Sequence, residues 1–171
     1  MSKKTMVVII LLGIVCYFVL SIFLNSPIYL DWKLDRLCGE MHQYAQEHLP
    51  EFQVMADQLV MAQRDQEDSL WCNKTQGNLP EDVAQQWRLF SNNSPLKLDT
   101  VKINNSPLYP DGACIFSREI WYNAYGMQGK SIYAWVALVY SPDSNAEDPS
   151  WFRRTTIPVN EKWFVAVVYG Y

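Results

Sequence analysis

The sequence predicts an α+β protein: an N-terminal transmembrane helix, then two or three helices packed on a four- to five-stranded antiparallel meander sheet. Three observations carry this reading. An uncharged apolar run opens the 171-residue chain. Apolar residues then recur at a spacing of three and four as far as about residue 90, the period of a helix face. Beyond residue 95 the period falls to two and turn sequences punctuate it. Helices first and strands afterwards is the order of a domain whose helices cover one face of an antiparallel sheet.

The opening run, residues 6–24, reads MVVIILLGIVCYFVLSIFL and holds no formal charge. Hydrocarbon about 30 Å thick needs roughly 20 residues at 1.5 Å each. Lys3 and Lys4 precede the run, while Asp31, Lys33, Asp35 and Arg36 after it balance. The positive-inside bias therefore predicts a cytoplasmic N-terminus and an exported remainder. A cleaved signal would have an apolar core of about 7–15 residues and end in a small-x-small site. Here the run is longer and leads into Phe23-Leu24-Asn25-Ser26-Pro27, and Cys16 lies mid-run after Val15, unlike a lipoprotein signal. The predicted organisation is a cytoplasmic tail (1–5), a retained anchor (6–24) and one extracytoplasmic domain (25–171).

Next come the helices. Leu30, Leu34, Leu37, Met41, Tyr44 and His48 mark one helical face, and Phe52, Met55, Ala56, Leu59 and Val60 resume the stripe after Pro50. The prediction is two core-facing helices, about 30–48 and 51–64, separated by the proline. Residues 64–79 are polar apart from Leu70-Trp71, which predicts a loop with a short strand around that island. Pro80, Glu81 and Asp82 suit a helix start, and Val83, Ala84, Trp87 and Phe90 give it an apolar face over about 80–90. Strands are predicted from Leu96 to Ile103, over 113–122, 131–140, 151–158 and 162–169, with turns at 104–107, 109–112 and 159–161. The segments 131–140 and 162–169 are apolar on both faces, so each is central or covered.

Composition narrows the function classes. Twelve of the 14 Lys and Arg and all 18 Asp and Glu follow Leu24, giving that part a net charge of −6. Such a domain repels phosphate backbones and anionic lipid, so no nucleic acid is expected as a partner. The two histidines, His42 and His48, are six apart and do not share a helical face. No third His completes a zinc site, and no motif marks a nucleophile. The carboxylates at Asp65-Glu67-Asp68 and Asp143-Glu147-Asp148 lack the glycine and distal glutamate of a calcium loop. Asn73-Lys74-Thr75 matches a glycosylation acceptor, which carries no meaning in a bacterial chain. No catalytic residue, metal or cofactor is predicted, and the protein is expected not to be an enzyme.

Two sets of residues stand out. Beyond the anchor, Cys38, Cys72 and Cys114 would lie in an oxidising compartment, where one pair is expected to bridge. Cys72–Cys114 is the predicted disulfide, since both flank loops that can meet the geometry, with Cys38 reduced on the first helix; Cys38–Cys72 is the rival pairing. The second set is Trp151, Phe152, Arg153 and Arg154, an aromatic-cationic run after a polar loop. Trp and Arg dominate interface energetics when clustered, so this run is the predicted partner-binding surface. As core and solvated strand edge, the same residues would instead guard the sheet.

Two resemblances extend the reading. The element order is similar to cystatin-like and NTF2-like folds, which membrane-anchored assembly proteins of secretion machines also use. Pro27-Ile28-Tyr29-Leu30-Asp31-Trp32 resembles the P-x-Y-x-D-aromatic stretch that follows the apolar segment of type IV pilins, although Thr5 and Ile10 stand where the processing glycine and glutamate of that family belong. That resemblance would imply a pilin-like subunit. The residues themselves favour a single-pass bacterial inner-membrane protein with a periplasmic domain that binds another envelope or membrane protein. It would serve as an accessory of an envelope or secretion complex, a co-regulator of a membrane sensor, or an immunity protein, and self-association is compatible with the composition. Small-ligand sensing in an apolar pocket between helices and sheet is the alternative.

Overall fold

The computed structural model describes residues 3–24, 26–64, 66, 68–106, 109–123, 131–142 and 154–170. It is α+β, as the sequence predicts. Helix α1 (Lys3–Leu24) comprises 22 residues, about 33 Å at 1.5 Å per residue, long enough to cross a bilayer. Its large apolar side chains are each 41–70% exposed. It is apolar on every side and long and apolar enough to span a membrane.

Ser26 both ends α1 and starts α2 (Pro27–Gln63). Its hydroxyl donates to Phe23 O (2.6 Å) and accepts from Tyr29 N (3.2 Å). Pro27 follows in the first turn, where its missing N–H costs nothing. The two predicted helices are present as the two halves of this 37-residue element, which His48 breaks with a non-helical conformation (φ −119°, ψ 20°). Pro50 has no N–H and crowds the carbonyl four residues before it. His48 absorbs that distortion while its ring stacks on Tyr44 at 4.2 Å and meets Glu51 at 3.0 Å. The stripe survives the kink: Leu30, Leu34, Leu37, Met41, Phe52, Met55, Ala56 and Leu59 are all buried.

Gln63 closes the C-terminal end of α2. Its buried amide donates to Gln66 O and Asp68 O (both 2.9 Å) and accepts from Leu70 N (3.2 Å), reversing the chain. The Leu70-Trp71 island does form a strand, β1 (Trp71–Asn73), and residues 73–79 fold back over it. Gly77 bridges Cys72, and a Cβ at Gly77 would meet Trp71 O at 2.5 Å and Cys72 Cα at 2.6 Å. Only glycine allows that approach. Helix α3 (Glu81–Asn93) follows, with Val83, Ala84 and Trp87 turned to the core.

The sheet has six strands, exceeding the four or five expected. Besides β1 they are β2 (Thr100–Ser106), β3 (Tyr109–Asn123), β4 (Ser131–Tyr140), β5 (Arg154–Pro158) and β6 (Trp163–Gly170). All pairings are antiparallel, in the order β1-β2-β3-β4-β6-β5. The expected meander holds through β4. Then β6 takes the place beside β4 and β5 becomes the outermost strand. Strands β4 and β6 are therefore central, and their two-sided apolar sequences are buried on both faces. The predicted hairpin turn after Pro158 is present, fixed by Asn160 Oδ1, which accepts from Lys162 N and Trp163 N (both 2.9 Å).

Two predicted boundaries shift. Strand β2 starts at Thr100 rather than Leu96, because Lys97 takes a left-handed conformation (φ 53°). Leu96 and Leu98 are nonetheless buried, reaching the core from a turn. Residues 109–112, expected as a turn, belong to β3. Pro110 cannot donate to the ladder, and the register slips nearby, between Asn104 and Ser106.

The core lies between the sheet and α2–α3. Phe52 is its hub: ring centres of Phe90, Phe116, Tyr44 and Trp163 lie 4.9, 5.4, 6.1 and 6.1 Å from its own. Trp163 Nε1 donates to Gln53 Oε1 at 2.9 Å, so the indole is anchored as well as packed.

The predicted disulfide does not form. Cys72 pairs with Val101 and Cys114 with Ile103, on opposite sides of β2. Two strand spacings, about 9–10 Å, exceed the roughly 7 Å that a disulfide tolerates between Cα atoms. Cys38, Cys72 and Cys114 are buried and reduced. Burial pushes the Cys114 thiol far up, with Asp57 adding to the effect; burial also raises Cys72, opposed by the adjoining Arg88 guanidinium. Both stay protonated and poorly nucleophilic. Maleimide is therefore expected to leave Cys38, Cys72 and Cys114 unmodified in mild detergent and to modify them after denaturation, by intact mass. A mass lower by two protons in the unreduced chain would refute this arrangement.

Candidate functional site

The predicted binding run leads into the outermost strand. Trp151, Phe152 and Arg153 lie outside the described residues. Arg154 opens β5, its backbone paired with Val167. The far end of β5 is tied to α2, where the His42 ring lies 3.1 Å from Pro158 O. The other histidine is the stacked kink residue. Among the described residues no group of three or more His, Cys, Asp and Glu side chains is placed to hold a metal ion.

A polar groove of about 440 Å³ lies on the sheet face turned away from the helices, lined by Asn73, Lys74, Thr75, Asp99, Thr100 and Glu119. Its groups satisfy one another. Lys74 Nζ is 3.5 Å from Asp99 Oδ1, Asp99 Oδ2 accepts from Glu119 N at 3.0 Å, and Thr100 Oγ1 donates to Glu119 Oε1 at 3.4 Å. Asn73 Oδ1, the glycosylation-like position, accepts from Thr75 N, Thr75 Oγ1 and Gln76 N. This is the turn chemistry of an Asx motif. The groove is a fastening of β1 to β2–β3.

The helix side is different. Phe90 lies against Phe52, while Pro80 and Val83 share a groove with Met61 and Ala62. Helix α3 therefore runs antiparallel to the second half of α2. Between them opens a groove of about 350 Å³ lined by Gln58, Met61, Ala62, Pro80, Asp82, Val83 and Gln86. Val54 lies one turn before Gln58 on α2, and Leu89 lies three residues after Gln86 on α3. Val54, Met61 and Leu89 are 59, 66 and 66% exposed. Gln58 Oε1 is buried with no hydrogen-bond partner among the described residues.

Beyond α1, the exposed large apolar side chains among the described residues are Ile28, Trp32, Val54, Met61 and Leu89. They form two groups, one just past α1 and one along this groove. The periodicity used in the sequence reading selects residues in phase with the core and passes over these. The available signal was an out-of-phase pair seven apart, Val54 and Met61. No family model, curated protein or solved structure matches the chain.

Proposed function

We propose that the chain is a membrane-anchored, non-enzymatic binding module of the bacterial inner membrane, whose periplasmic domain docks an amphipathic helix of another envelope protein in the α2–α3 groove. The observation that carries this reading is the exposure of three large apolar side chains on the two helices that form the groove, Met61 in its lining and Val54 and Leu89 each within about one turn of a lining residue, at 59–66%. Val54 and Met61 are two helical turns apart, about 10 Å, the span over which a docked helix presents its i, i+4 and i+7 anchors. Asp82 adds a negative charge at the mouth and Gln58 offers an amide oxygen, so the docked helix is expected to carry Lys or Arg beside its apolar face. At the centre of the space between helices and sheet, the rings of Phe52, Phe116 and Trp163 take the room a small ligand would need.

The test is photocrosslinking in cells with benzoylphenylalanine at Met61 or Leu89, and at Gln46 as an exposed control. One discrete adduct is expected at the first two positions, through a partner peptide with apolar residues at helical spacing and an adjoining cation. Val54→Glu should remove that adduct while changing stability by less than about 0.5 kcal/mol, as exposed substitutions do. The variant Arg153→Ala with Arg154→Ala serves as the second arm. If it removes the adduct and Val54→Glu does not, the binding surface is the 151–154 run and the groove reading fails.

A further inference from the structure

The second exposed apolar group calls for a different occupant. Ile28 and Trp32 are 71 and 53% exposed and lie one turn apart on the side of α2 opposite the buried Leu30, Leu34 and Leu37. The next residue on that line, Arg36, pairs with Glu40 at 2.8 Å and sets its guanidinium carbon 5.9 Å from the Trp32 ring centre. The side thus turns from apolar to charged within three turns of the start of α2. Aromatic rings continue from the last turn of α1 onto α2, with Phe23 to Tyr29 at 5.7 Å and Tyr29 to Trp32 at 5.8 Å. Trp and Tyr gather where hydrocarbon gives way to headgroups.

Lengths decide how this surface meets the bilayer. Headgroup layers add roughly 5–8 Å on each side of the hydrocarbon. Ile28 and Trp32 follow Leu24 by four and eight residues, about 6 and 12 Å on a straight helix. On such a continuation Trp32 would clear the headgroups and leave its indole in water. The helix is not continuous, however. Ser26, in an extended conformation (φ −92°, ψ 150°), closes α1 onto Phe23 O and caps α2 through Tyr29 N. A two-way capped break of this kind lets the second helix leave the axis of the first.

Resting on the reading of α1 as a membrane anchor, we infer that α2 leans onto the outer surface of the membrane, with Ile28 and Trp32 immersed in the interfacial layer and Arg36 at its aqueous edge. The occupant of this face is lipid. The neighbouring charges, Asp31, Lys33, Asp35 and Arg36, cancel. Immersion is therefore driven by apolar area and is expected to be insensitive to salt and to anionic lipid.

Nitroxide accessibility in the full chain, reconstituted in phosphatidylcholine vesicles, tests this. One label sits on native Cys16 in the anchor. The others sit at Ile28→Cys, Trp32→Cys and Leu89→Cys, each in a Cys16→Ser background, the remaining cysteines being buried. The expected result is oxygen-dominated relaxation at 16, a shallower but still oxygen-dominated signal at 28 and 32, and relaxation by an aqueous nickel chelate at 89. Nickel access at 28 and 32 equal to that at 89, with 16 still deep, would overturn the lean and leave the anchor standing. Nickel access at 16 would overturn both. Exclusion of both relaxants at 28 and 32, with dipolar broadening between labels, would show that protein from a second copy covers this face, and would also overturn the inference.

Discussion

Replacing Phe52 with alanine is expected to lower the melting temperature of the detergent-solubilised chain by on the order of 10 °C. Phe52 is fully buried and its ring meets those of Tyr44, Phe90, Phe116 and Trp163, so it ties α2 to α3, β3 and β6. Truncating a core phenylalanine costs about 3–5 kcal/mol through lost transfer energy and the cavity left behind. In a domain of this size each kcal/mol moves the midpoint by roughly 2–4 °C. Phe52→Leu keeps most of the volume and is expected to recover more than half of the loss. Thermal unfolding followed by circular dichroism reads both variants. A shift below about 2 °C for Phe52→Ala would mean that the rings do not form the centre of the core.

The second large effect is a binary one. With alkaline phosphatase fused at Tyr171 the enzyme is expected to be active, and with green fluorescent protein at the same place the cells are expected to stay dark. The physical basis is the charge flanking α1. Lys3 and Lys4 stand at its N-terminal end, and no net positive charge follows it. Cationic flanks are retained on the cytoplasmic side. The reverse pattern would place the domain in the cytoplasm. It would remove the periplasmic part of the proposed function, while the groove geometry would stand. A mature N-terminus beyond Leu24 would remove the anchor instead, and with it the argument for Ile28 and Trp32.

Much of the architecture was legible residue by residue. An uncharged run of nineteen residues makes up most of α1, and fitness to span a bilayer is read from length and charge rather than from neighbours. The stripe Leu30, Leu34, Leu37, Met41 and the later Phe52, Met55, Leu59 specified which side of α2 is buried. The strand predicted at 131–140 is β4 itself, and its two-sided apolar pattern announced a central place. Periodicity can do this because burial of one face is a local property of the chain.

Tertiary structure decided what depends on residues far apart in sequence. Pro50 announced a break between two helices, and the structure sets it at His48, with both halves packed on the same core. Nothing local told β6 to pair with β4 and push β5 to the edge, since pairing is settled by which apolar surfaces meet. Cys72 and Cys114 were expected beside loops, yet both lie within strands, and β2 between them sets them about two strand spacings apart. The α2–α3 groove exists only because α3 returns antiparallel along α2, so that the helix carrying Leu89 lies against the one carrying Val54 and Met61. In the sequence those three residues are isolated apolar positions on wet faces. Only the packing of one helix against another makes them a surface.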